Sequence, residues 1–171
     1  LGYGTLTSNT TAANNTAVGY VSMRDNSTGA DNVAVGFASL IVNTTGQGNT
    51  SVGFRSMYAN TTASRNTALG YEALKLTTTG ANNTAVGSNA LYENTTGTQN
   101  VAVGSSAGDA ITTGNNNVTV GHSSMGATTT GSSNVAVGAF ALKLNTTATG
   151  NTAVGNNALG ANTTGANNTA V

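Results

Sequence analysis

Asparagine recurs at Asn15, Asn32, Asn49, Asn66, Asn83, Asn100, Asn117, Asn134, Asn151 and Asn168, each 17 residues after the last, with no insertion or deletion. A fixed period of this size means one short structural unit repeated, each copy relying on its neighbours to complete a core. The consensus is Asn-Thr/Val-Ala-Val-Gly-x-x-Ala/Ser-Leu/Met-x-x-Asn-Thr-Thr-Gly-x-x, and its positions are numbered one to seventeen from those asparagines. Position four is Val or Leu throughout, and position five is Gly from Gly2 to Gly155. Position nine is Leu or Met except at Gly108, and position fourteen is Thr from Thr11 to Thr164.

Helix fits this pattern poorly, because the repeat is rich in Gly, Thr and Asn and lacks a 3.6-residue apolar stripe. Disorder would fit the low charge, but a disordered chain has no reason to keep Val and Leu in fixed columns. Short strands fit the alternation. In Asn-Thr-Ala-Val-Gly, positions two and four point one way and positions one, three and five the other. Gly at position five allows a positive φ or a close backbone approach. Leu or Met at position nine returns to the interior, and Asn-Thr-Thr-Gly makes the return turn.

The expected fold is therefore all-β: a parallel β-solenoid with one 17-residue repeat per coil. Successive coils rise by ~4.8 Å, so ten make a rod of roughly 48 Å. Asn ladders suit such stacking, since each amide can donate to the next along the axis. The expected core is Val18, Val35, Val52, Leu69, Val86, Val103, Val120, Val137 and Val154 at position four, with Leu40, Leu74, Leu91, Leu142 and Leu159 at position nine. The Ala column (Ala17, Ala34, Ala68, Ala85, Ala102, Ala136, Ala153, Ala170) then lies outside and calls for association with other chains. Residues 1–171 are read as a single array of about ten coils, cut from a longer fibre.

Composition narrows the function classes. Five Lys+Arg balance five Asp+Glu, so no net charge draws the chain to nucleic acid or an anionic membrane. No apolar run reaches the ~18 residues of a membrane span. Cysteine is absent, which excludes disulfides and thiolate metal sites. The few acidic residues form no acid/base pair or calcium loop, and His122 is alone, so no enzyme, metal or cofactor is expected.

The unit Asn-x-Ala-Val-Gly-x-x-Ala-Leu, seen at Asn83, Ala85, Val86, Gly87 and Ala90, resembles the head repeats of YadA-like trimeric autotransporter adhesins. The resemblance covers the whole chain, with an added Asn-Thr-Thr-Gly segment that also looks like repeats of bacterial and viral tail fibres. It implies a left-handed β-roll, a homotrimer, and an extracellular, cell-surface or virion location.

Several columns are candidate functional features. Position six reads Tyr3, Tyr20, Phe37, Phe54 and Tyr71, then turns small or polar: an aromatic ladder for packing or for a sugar or surface ligand. Asn9, Asn26, Asn43, Asn60, Asn94, Asn145 and Asn162 each open an Asn-x-Thr motif at a turn, making them candidate glycosylation sites. Tyr58, Lys75 and Tyr92 could form a cation–π stack, and Arg55 and Glu72 are expected to pair. Gly108 with Ile111 reads as a variant corner where Ile111 replaces the missing core Leu.

The leading functional expectation is a rigid shaft or head of a surface adhesin or tail fibre, self-associated as a homotrimer or filament, with a host-surface or glycan ligand. The alternative is a glycan-coated structural filament without its own receptor. Ice binding ranks third, because adjacent Thr columns at positions thirteen and fourteen should leave only one facing out.

Overall fold

The computed structural model describes all 171 residues as ten short parallel strands in a single sheet, stacked in chain order, with no helix. The strands are β1 Thr16–Val18, β2 Val33–Val35, β3 Thr50–Val52, β4 Thr67–Leu69, β5 Thr84–Val86, β6 Val101–Val103, β7 Val118–Val120, β8 Val135–Val137, β9 Thr152–Val154 and β10 Thr169–Ala170. Each pairs with the strand one repeat away in unshifted register, as in Ala85 beside Ala102. The fold is the parallel β-solenoid expected from the period. Only one strand forms per coil, and positions six to nine are a turn.

Stacking does not stop where the strands end. Of 106 backbone hydrogen bonds only 18 lie within the strands, so the turns carry most of the ladder. Leu91 N–H donates to Ala107 O at 3.0 Å, and Thr95 N–H to Thr112 O at 3.0 Å. This satisfies the backbone around the coil, which a solenoid of short strands requires.

The alternation holds, but its sign is opposite to the expected one. Positions one, three and five face inward; positions two and four face out. Ala34, Ala68, Ala85, Ala102, Ala136 and Ala153 are fully buried, whereas Val18 is 38% and Leu69 is 48% exposed. Val103 and Val154 are exposed as well, and Val35, Val52, Val86, Val120 and Val137 are half-buried. The position-four column is thus not core. The reason is volume: Leu or Met at position nine enters from the opposite wall and occupies the centre of a narrow coil. Leu40, Leu74, Leu91 and Leu142 are fully buried there, as are Met23, Met57 and Met125. Leu159 is partly buried and packs against the same core. Where Leu or Met fills the centre, the facing strand carries only Ala or Ser51; the larger Thr119 fits beside Gly108, whose missing side chain would have met its Cγ2 at 3.0 Å. The polar replacements are satisfied: Ser39 Oγ donates to Ser51 Oγ at 2.8 Å, and Thr119 Oγ1 bonds Ser124. On the outside, β-branched Val and Thr suit extended backbone without needing burial.

The rest of the interior is asparagine. Asn32, Asn49, Asn66, Asn83, Asn100, Asn117, Asn134 and Asn151 at position one are fully buried. Asn83 is representative: Nδ2 donates to Gly97 O at 2.8 Å and to Asn66 Oδ1 at 3.2 Å, while Oδ1 accepts the Asn100 N–H at 3.0 Å. A second Asn column at position twelve points at the same carbonyls. Asn15 and Asn26 both donate to Gly29 O, at 2.8 and 2.9 Å. The ladder continues from Asn26 to Asn9 at 3.0 Å, Asn43 to Asn26 at 2.6 Å, and Asn60 to Asn43 at 2.7 Å.

That second ladder breaks at Thr77. Thr77 Oγ1 and Asn60 Oδ1 are both buried with no partner. Thr77→Asn should therefore stabilise the chain. Its amide would donate to Asn60 Oδ1 and accept from Asn94, relieving a buried unsatisfied acceptor worth about 1–3 kcal/mol. Calorimetry should show a melting temperature higher by about 2–12 °C. An unchanged or lower value would mean that the Asn ladder is not stabilising at this corner.

Gly108 and Ile111 behave as the sequence indicates. Ile111, at position twelve, is fully buried, and a Cβ on Gly108 would lie 2.9 Å from its Cδ1 and 3.3 Å from Leu91 Cδ2. Ile111 has taken the space that Leu or Met fills in other coils.

Candidate functional surfaces

The aromatic ladder exists. Consecutive ring centroids among Tyr3, Tyr20, Phe37, Phe54 and Tyr71 are 5.5, 5.4, 5.2 and 5.3 Å apart, with interplanar angles of 6–14°. All five side chains are exposed. Because the rings stack on one another, the faces of the inner rings are covered and their edges meet solvent. A sugar that stacks on a ring face can therefore reach only the two ends of the ladder.

The Asn-Thr-Thr corners are arranged differently from the expectation. Asn26, Asn43, Asn60, Asn94 and Asn145 are fully buried, and each donates Nδ2 to the position-fifteen carbonyl three residues on. A buried amide committed to the turn cannot be an acceptor for a glycan. Asn9 and Asn162 are partly buried and make the same bond, so the column serves as turn chemistry. What faces solvent at this corner is Thr at position fourteen: Thr28, Thr45, Thr62, Thr79, Thr96, Thr113, Thr130, Thr147 and Thr164 are all exposed. Position-thirteen hydroxyls are tied down instead, as in Thr44 Oγ1 donating to Thr61 O at 3.0 Å. In the inner coils position thirteen is half-buried, so one fully exposed Thr column faces out there.

The charged groups form local pairs. Arg24 forks onto Asp25, with Nε–Oδ1 at 2.7 Å and Nη2–Oδ2 at 2.8 Å. Those hydrogen bonds hold the Asp25 carboxyl below its ordinary range and the guanidinium above its own. Lys75 Nζ bonds Glu72 Oε1 at 2.8 Å and Tyr92 Oη at 3.0 Å, and lies 5.0 Å from the Tyr92 ring centroid. Glu72, then Tyr92, raises the Lys75 pKa. The Lys75–Tyr92 half of the proposed stack is present. Arg55 and Glu72 do not pair, since Lys75 takes Glu72 and Arg55 lies over Phe54 (5.1 Å) and Tyr58 (5.7 Å).

Beside the variant corner, Asn89, Tyr92, Glu93, Asp109 and Ala110 line a cavity of about 150 Å³. Burial pushes the Asp109 carboxyl upward, opposed by backbone and Ser106 hydrogen bonds and reinforced by Glu93. No group of three or more His, Asp or Glu side chains converges in the molecule. His122 is exposed and packs edge-on to Phe140 at 5.3 Å. No helix is long and apolar enough to cross a membrane.

Set against protein-family models, curated proteins and solved structures, the chain finds no match.

Proposed function

We propose that the chain is a non-catalytic, rigid segment of an extracellular fibre: the shaft or head of a surface adhesin or tail fibre. The observation that carries this is the unbroken register of ten parallel strands, with the ladder continued through the turns. Such stacking builds length in fixed steps and resists bending, which suits a spacer. The likeness of Asn-x-Ala-Val-Gly-x-x-Ala-Leu to YadA-like head repeats supports the same reading.

Self-association, as a homotrimer or filament, belongs to the proposal. Its support is the outward Val and Leu column of position four, not the alanines, which are buried. A filament coated with sugars is a second reading, now resting on the exposed threonines of position fourteen.

Electron micrographs of the chain, and of versions lengthened by whole repeats, test the reading. Straight rods growing by ~4.8 Å per added repeat, with sedimentation giving a fixed number of chains above one, are expected. Curled or compact particles whose length ignores repeat number would overturn it.

A further inference from the structure

We propose that the aromatic ladder is a binding track for elongated, planar aromatic anions lying parallel to the rod axis. Three observations meet at this place. The inner rings present their edges to solvent, and a ring edge is the positive end of its quadrupole. The ladder therefore attracts the electron-rich face of another aromatic system and offers nothing to a ligand that needs ring faces. Phe140 and His122 make the same edge-to-face contact within this chain, at 5.3 Å and 80°.

The second observation is the neighbouring column. Val18, Val35, Val52 and Leu69 at position four face outward, and between them and the rings lie only Gly19, Gly36, Gly53 and Gly70. Glycine contributes no side chain, so the strip between the two apolar columns is open along the axis. Four ring-to-ring steps of 5.2–5.5 Å set its length, which suits several linked or fused rings better than a single one.

Charge is the third. The guanidinium of Arg55 sits 5.1 Å from the Phe54 centroid and pairs with no carboxylate, whereas Arg24 and Lys75 are neutralised by Asp25 and Glu72. One uncompensated cation beside a strip of positive ring edges favours an anion. This track does not depend on what the rod is for, and it can fail while the proposed function stands.

Titration of the whole chain with a bis-sulfonated azo dye of the Congo red type tests it, read by absorbance and by circular dichroism induced in the dye. Saturable binding with an induced signal is expected. The double variant Phe37→Ser with Phe54→Ser should weaken binding by about 10-fold. Serine already occupies this column at Ser88 and Ser105, so the coil accepts it. Ser88→Tyr, which extends the ladder, should tighten binding. Arg55→Ala should weaken the anionic dye more than an uncharged analogue. Equal affinity in the wild-type chain and the double variant, with unchanged backbone spectra, would overturn the proposal; so would no gain from Ser88→Tyr.

Discussion

Gly87→Ala is expected to lower stability by about 3–5 kcal/mol, while Gly46→Ala changes it by less than about 1 kcal/mol. The two glycines look equivalent in the repeat, and both lie against the next coil. They differ in backbone. Gly87 has φ +138°, a region that is essentially glycine-only, and a Cβ there would lie 2.6 Å from the carbonyl carbon of Gly104. That obstacle is backbone in a hydrogen-bonded ladder, so relief requires two coils to separate. Every copy of position five has the same conformation, from Gly2 at φ +137° to Gly155 at φ +125°.

Position fifteen is crowded but not strained. Gly46 does not have a positive φ, and the column already holds Ala63 and Ala148, both buried. A Cβ on Gly46 would lie 2.3 Å from the backbone oxygen of Ala63, as close as at Gly87, but the coils at Ala63 and Ala148 hold a methyl in this column with ordinary backbone. Thermal melting separates the cases, with a fall of about 6–20 °C for Gly87→Ala and little change for Gly46→Ala. Equal losses in both would mean that crowding, and not φ, fixes glycine at position five.

The period and the parallel register follow from the columns alone, because a repeat without insertions permits only one stacking; that positions six to nine form a turn and not a second short strand does not. Position five was legible for the same reason: glycine without exception marks a backbone demand. Which strand face points inward was not legible from hydrophobicity. Val at position four is more apolar than Ala at position three, and the usual inference buries the larger side chain. The signal was in the size limit. Position three is Ala except at Ser51 and at Thr119, the latter beside the gap at Gly108, which marks a tightly packed interior; position six accepts Tyr20, Ser88 and His122, which marks an open surface.

Asparagine was hardest to place. At Asn43 the Asn-Thr-Thr motif reads equally as a turn or a glycan acceptor, and only the geometry distinguishes them. A buried amide can be retained because it meets the donors and acceptors of a stacked backbone one for one, as Asn83 does. The ladder of rings was visible in sequence, but not that their faces would be covered. The left-handed backbone of Met57 (φ 48°) and Leu74 (φ 49°) carries no sequence mark, since neither residue favours it.

The most direct test of the inverted face is thiol accessibility at Ala85→Cys and Val86→Cys, made one at a time in a chain with no native cysteine. Ala85 is fully buried and Val86 is half-buried on the outside of the same strand. Ser51 and Thr119 in column three indicate that a residue of cysteine's size fits the interior. Under native conditions the Val86→Cys thiol should react with a maleimide readily. The Ala85→Cys thiol should react about 100-fold or more slowly, waiting for the coil to open. The reverse order would place Val inside and contradict this account of the core.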